Sequence, residues 1–284
     1  MTNAQKTSPK THSSAKPSKS PTKEPHQKKK SKITPYQICL TFFLILWAIF
    51  ATYASQFLVA YLFAILIDTN QLSEPGWTLA YYIVTYTITI ILIVFVPPQV
   101  IKLYRERHLD SNRTKTLQTA AEDLAATPEN MGVQKLPTFT DIGLAPIAYI
   151  AYLIAAAVLT RIMTAFPWFD ANQAQDVGFN YFITDLDRLF AMISVVLVAP
   201  IAEEIMMRGW LYGKLRRKWN VVVAIILTSL TFALLHGQWN VGVTVFALSI
   251  MLCSLREITG TIWSGMLLHI LSNGIAFYLL YVAI

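Results

Sequence analysis

The sequence predicts an all-α, polytopic membrane protein with about seven transmembrane helices and a disordered, basic amino-terminal tail. Three observations carry that prediction. Of 284 residues, 55% are hydrophobic and only 14% charged, which is not the balance of a soluble globule. Apolar runs recur from Tyr36 to the end of the chain, and several reach the roughly 20 residues that a membrane-spanning helix requires. The net charge of +7 is also unevenly placed: residues 1–32 hold nine Lys and one Glu, so the other 252 residues sum to −1.

Residues 1–34 are rich in Lys, Ser, Thr and Pro. They lack the apolar surface needed to offset the entropy of ordering, so disorder is expected. The next run, Tyr36 to Ile67, is about twice the length of a signal-peptide core and is expected to stay in the membrane as an anchor. A lysine-rich arm beside a span suits anionic lipid headgroups. No aromatic or motif context supports nucleic-acid binding.

Seven spans are expected, at residues 37–67, 78–101, 142–166, 187–211, 220–237, 240–256 and 261–284. Residues 35–102 hold the first two, 103–140 form a cytoplasmic linker, and 141–284 form the core. Pro97-Pro98 should kink or end the second helix. Within the linker, Ser111–Ala126 reads as a short surface helix that stops before Pro128. Arg161, near the outer end of the third span, should snorkel to the headgroups. With the amino terminus inside, the inner segments collect Lys102, Arg105, Arg107, Lys214, Arg216, Arg217, Lys218 and Arg256, while the outer loops hold Asp68, Glu74, Asp170, Asp176, Asp185 and Asp187. That positive-inside pattern places the carboxyl terminus outside, and a bacterial plasma membrane suits it.

The fourth span is the anomaly. No charge occurs from Leu189 to Ala202, so its length can be completed only through Glu203 and Glu204. A carboxylate in the membrane costs about 2.5–3.5 kcal/mol and is read first as functional. Glu204 and Arg208 are four residues apart and share a helix face, which suits a desolvated ion pair. Glu203 is rotated about 100° from them. Glu203 is therefore taken as the working acid and Glu204 as structural.

Two further pairs have the same spacing: Phe232 and His236 in the fifth span, and His269 and Asn273 in the seventh. Glu203 and His236 are equidistant from the basic turn between their spans, each about 24 Å along its helix, so they should meet across the hairpin. His269 lies only about 14 Å above the start of its span; it reaches the same depth if the four-five hairpin protrudes about 10 Å into the cytoplasm. A desolvated carboxylate beside a neutral imidazole is suited to deprotonating water, and an imidazole and an amide four residues apart can donate to one oxyanion. Together they suggest hydrolysis of a peptide bond by activated water.

Glu203-Glu204-x-x-x-Arg208, Phe232-x-x-x-His236 and His269-x-x-x-Asn273, in this order on separate spans, resemble the three motifs of the CAAX protease and bacteriocin-processing family, also called the Abi family, over about residues 186–280. Thr138–Leu144 is weakly similar to a segment that often precedes the family's core. The resemblance implies that Glu203 is the general base and that His236 helps to bind and polarise the water. His269 and Asn273 would stabilise the oxyanion, and Glu204 with Arg208 would hold the site together. It implies an intramembrane endopeptidase with no cofactor, acting on a membrane-associated peptide or protein reached from the cytoplasmic side. It does not fix the substrate, because prenylation need not occur in the host.

Other readings use the same residues. Glu203, His236 and His269 are acceptable zinc ligands, which gives a metal-dependent protease, although His-Glu-x-x-His is absent. Ser264-Gly265 suggests a serine protease, but Ile262 stands where that motif needs glycine. A non-catalytic scaffold or immunity protein would keep the polar core for stability alone. A transporter lacks support, since no inverted repeat is evident. Cys39 and Cys253 both fall in apolar spans and imply neither a disulfide framework nor a zinc site.

Overall fold

The computed structural model describes residues 1–2, 33–67, 75–107, 111–173 and 184–282. Met1–Thr34 and Pro35–Ile284 are separate units, and all the helices among the described residues belong to the second. The expected disorder of the tail concerns residues that lie almost wholly outside those described.

Regular structure among the described residues is helical throughout. In chain order the helices are α1 (Pro35–Leu66), α2 (Gly76–Arg107), α3 (Ser111–Leu124), α4 (Pro128–Met131), α5 (Phe139–Met163), α6 (Asp185–Lys218), α7 (Val221–Leu235), α8 (Trp239–Thr259) and α9 (Trp263–Tyr281). Six of them, α1, α2, α5, α6, α8 and α9, are long and apolar enough to cross a membrane, and α7 is a shorter apolar helix. The chain is a multi-pass membrane protein, and each expected span corresponds to one of these seven.

Lipid exposure explains why the spans are apolar on all faces. In α1, the residues Leu40, Leu44, Ala48, Ala51, Ser55 and Val59 are buried, a stripe at helical spacing that faces the bundle. Phe42, Leu46, Phe50 and Phe57 point outward and are exposed, as suits a helix with hydrocarbon on one side and protein on the other. Arg161 is exposed at the end of α5, in keeping with snorkelling.

Pro97-Pro98 does not end α2, which continues to Arg107. The physical reason lies in the preceding turn. Residues Ile91–Phe95 are wound as a π-helix, and the Val96 N–H bonds to the Ile91 carbonyl, five residues back. Widening this turn leaves room for the proline rings. In that register Leu92 O would accept from residue 97, a proline with no N–H. Trp47 of α1 supplies the missing donor, its indole N–H reaching Leu92 O at 3.0 Å.

The same device recurs in α6. Residues Ile193–Val198 are π-wound, the Ala199 N–H bonds to Ser194 O, and Pro200 removes the donor that Val195 O would use. A second π-wound stretch, Ile205–Tyr212, comes directly after the Glu pair.

The linker is structural. At the α6–α7 turn, Lys214 donates to Ala125 O, Arg217 donates to Asp123 O at 2.5 Å, and Lys218 pairs with the Asp123 carboxylate at 2.8 Å. Three cations thus close the carboxyl-terminal end of α3, where free carbonyls favour positive charge. Gly209 and Gly213 lie one turn apart on α6, and a Cβ on either would run into Met131 or Asn130 of α4. The hairpin base, expected to protrude, is therefore clothed by the linker: Leu211, Lys214 and Leu215 are buried.

Candidate active site

Glu203 and Glu204 sit at the end of the short α-helical stretch Ala199–Glu204, between the two π-wound segments of α6. Adjacent residues on a helix diverge by about 100°, and their environments differ accordingly. Glu204 is fully buried: its Oε1 accepts from Arg208 Nη1 at 2.9 Å, and both side chains are 0% exposed. Arg208 Nη2 donates to the Ser249 hydroxyl of α8 at 2.7 Å, and its guanidinium lies over the Phe232 ring of α7 at 4.6 Å. The pair thus joins α6, α7 and α8. An isolated charge in such a site would be prohibitive, whereas a paired and hydrogen-bonded one persists.

His269 of α9 completes the group. Its Nδ1 lies 3.1 Å from Glu204 Oε1. Its Nε2 lies 3.7 Å from Glu203 Oε2, beyond direct hydrogen-bond reach but within the span that one water can bridge. Glu203 keeps 17% side-chain exposure, and its other oxygen accepts from the Tyr86 hydroxyl of α2 at 2.6 Å. Glu204 Oε2 stands 3.1 Å from where a Cβ on Gly265 would project, so the absence of a side chain there lets α9 close on the carboxylate.

His236 caps the carboxyl-terminal end of α7, and Gly237 turns the chain away at φ +64°. Its Nδ1 is 2.8 Å from the Phe232 carbonyl. A carbonyl only accepts, so Nδ1 carries a hydrogen, and in the neutral ring Nε2 presents a lone pair. The expected meeting of Glu203 and His236 does not take the form of an ion pair, because the imidazole is turned back onto its own helix. Its ring stands edge-on to Phe232 at 4.9 Å, and Phe232 in turn stands edge-on to His269 at 5.9 Å. Phe232 therefore spaces the two histidines.

Asn273 lies one turn beyond His269. Its Nδ2 donates to Val195 O at 2.9 Å, the carbonyl that Pro200 leaves without a helical donor. One amide hydrogen is thereby committed, and one remains. Ser264 is buried, and its hydroxyl donates to Asp141 at 2.5 Å. Asp141 also closes a capping box with Thr138 at the start of α5. Ser264 is thus a strut between α5 and α9 and has no free hydroxyl to act as a nucleophile.

Of the expected residues, Glu203, Glu204, Arg208 and His269 form one contacting cluster, His236 joins it through Phe232, and Asn273 is anchored to the bend of α6. Among the described residues, no three His, Cys, Asp or Glu side chains are grouped to hold a metal ion. Tyr86 and Ser249 were not foreseen. Tyr86 is one of several hydroxyl-bearing residues in its span and Ser249 stands between apolar neighbours, and only the packing reveals the partner of each. An apolar cavity of about 440 Å³ borders Leu159, Ile162, Leu230, Leu234, Gly237 and Phe246; residues 230 and 234 lie on the face of α7 opposite residue 232.

Residues 185–275, from the start of α6 into α9, match the family described as type II CAAX prenyl endopeptidase Rce1-like. The matched stretch contains all six expected site residues and points to a protease. No curated protein and no solved structure matches the chain.

Proposed function

From an Rce1-like domain over residues 185–275, a finding that supports the CAAX protease and bacteriocin-processing family, we propose that this chain is a glutamic-type intramembrane endopeptidase. It cleaves a membrane-associated peptide or protein, with the amino terminus cytoplasmic and the site approached from that side. The observation that carries the proposal is the arrangement of Glu203 Oε2 and His269 Nε2, 3.7 Å apart, beside the buried Glu204–Arg208 pair.

A water hydrogen-bonded to Glu203 gives up a proton to that carboxylate as its oxygen attacks the scissile carbonyl carbon. His236 Nε2, whose lone pair is free because Nδ1 is engaged, orients the same water. The carbonyl π electrons move onto oxygen, and the resulting oxyanion accepts from the uncommitted amide hydrogen of Asn273 and from Nε2–H of His269, which acts as an imidazolium because its Nδ1–H is already held by Glu204 Oε1. Collapse of the tetrahedral species breaks the C–N bond, and the proton held by Glu203 passes to the leaving amine. Glu204, between Arg208 and His269, fixes the imidazole ring.

The test is Glu203→Gln, nearly isosteric and uncharged. Membrane peptidomes from cells carrying each form should differ, with peptides made by the parent chain missing from the variant and the unfolding temperature retained. Identical peptidomes would favour a scaffold of the same fold. The metal-dependent version, with Glu203, His236 and His269 as ligands, predicts stoichiometric zinc in the purified protein and loss of cleavage on chelation.

A further inference from the structure

The Tyr86 hydroxyl donates to Glu203 Oε1 at 2.6 Å, a length in the range of oxygen–oxygen bonds to a charged acceptor. Tyr86 lies on α2, separated from Glu203 by 117 residues and outside the matched stretch 185–275. Its ring is partly buried against Tyr82 at 6.2 Å. Further along α2, the π-wound turn is tied to α1 by the Trp47 indole, so the phenol is carried by a braced helix.

The geometry matters because a glutamate side chain has three rotatable bonds, and an unheld carboxylate spreads over several orientations. Glu204 is held by Arg208 and His269, whereas the arginine is turned away from Glu203. The phenol takes one oxygen of Glu203, and the other is the one that faces His269 Nε2. With Oε1 engaged, rotation of the carboxylate about its own axis would break the bond.

We infer that Tyr86 is a positioning residue: it orients the Glu203 carboxylate so that Oε2 is presented to His269, and the amino-terminal pair of spans thereby completes the site. The inference rests on the reading of Glu203 as the general base. It assigns α2 a part in the reaction in addition to anchoring.

The experiment uses the full chain in proteoliposomes, with a pool of internally quenched peptides bearing an amino-terminal palmitoyl anchor as probe. Tyr86→Phe keeps the ring and removes the donor. Its kcat should fall about 10- to 100-fold, as misorientation of a catalytic group does, with KM within about twofold, the fold retained and the unfolding midpoint lowered by about 2–4 °C through loss of one hydrogen bond. Tyr81→Phe, on the same helix with its hydroxyl on the Gln56 carbonyl, should retain full kcat. Unchanged kcat in Tyr86→Phe, or a raised KM with kcat retained, overturns the inference. Glu203→Gln in the same assay separates the two ideas: if it still cleaves, the base assignment fails, whereas if it is inactive and Tyr86→Phe is not impaired, only the positioning role fails. A substrate-independent arm pairs Tyr86→Phe with Glu203→Ala in thermal unfolding. The double variant should shift the midpoint no further than the larger single variant, because both break one contact. Additive shifts overturn the inference even if the probe pool is not cleaved.

Discussion

Two bends in this bundle pose the same backbone problem and solve it with different side chains. In α2 and in α6, a proline, Pro97 or Pro200, stands two residues beyond a π-wound turn and leaves one carbonyl without a helical donor. Trp47 serves Leu92 O, and Asn273 serves Val195 O. The indole has a single N–H and is then fully occupied. The amide keeps a second hydrogen and an acceptor oxygen. A bend braced by tryptophan can only be structural at that point, whereas one braced by asparagine retains polar capacity for its surroundings. In α6 those surroundings include the Glu203-Glu204 pair, a few residues beyond the bend. In α2 the polar group lies on the near side of the bend, at Tyr86. The stretch of α2 that carries Tyr86 packs on the π-wound segment of α6.

Four substitutions break or sharpen the comparison. Arg208→Ala should be the most damaging, because it strands the buried Glu204 charge at a cost of about 3–5 kcal/mol. Thermal unfolding in detergent should show a large loss of midpoint, with no counterpart among single changes at the uncharged α2 bend. Asn273→Leu should cost about 1–2 kcal/mol from the stranded Val195 carbonyl and, under the proposed mechanism, lower kcat at least about tenfold, since both the bend and the oxyanion donor are affected. Trp47→Phe should cost a similar amount, about 1–2 kcal/mol, yet leave kcat nearly unchanged; an equal rate loss in both variants would erase the distinction between the bends. The smallest effect is a rescue. Pro200→Ala restores a backbone N–H that can reach Val195 O, so Asn273→Leu in that background should lose about 1 kcal/mol less than alone. Full additivity would mean that the Asn273 bond is not what holds the bend.

Much of this architecture was legible in the residue order. Seven apolar runs correspond to seven helices, Ser111 starts the linker helix, and the i, i+4 spacing of Glu204 and Arg208 marked their buried pair. Local rules were silent where a distant partner intervened. Pro97-Pro98 reads as a kink or an end of the helix, and the widened turn before it and the indole from α1 decide between the two by letting the helix continue. His236 reads as facing Glu203 across a hairpin; the sequence does not show that its Nδ1 bonds to its own helix or that His269 Nε2 lies 3.7 Å from Glu203. The turn at Lys214–Lys218 reads as protruding into the cytoplasm, and only the packing reveals that Lys214, Arg217 and Lys218 cap the end of a linker helix, Lys214 reaching Ala125, 89 residues earlier in the chain.

Sequence alone determined the class of the protein, the placement of its apolar helices and most of its polar core, because hydropathy and helical periodicity are properties of neighbouring residues and hydrocarbon admits no unpaired backbone. Tertiary structure alone decided which oxygen of Glu203 faces His269, which hydrogen of Asn273 is free, and that a tyrosine from the second span reaches the site. Those outcomes depend on side chains separated by tens to more than a hundred positions, and helix packing, with no local pattern to announce it, sets their distances.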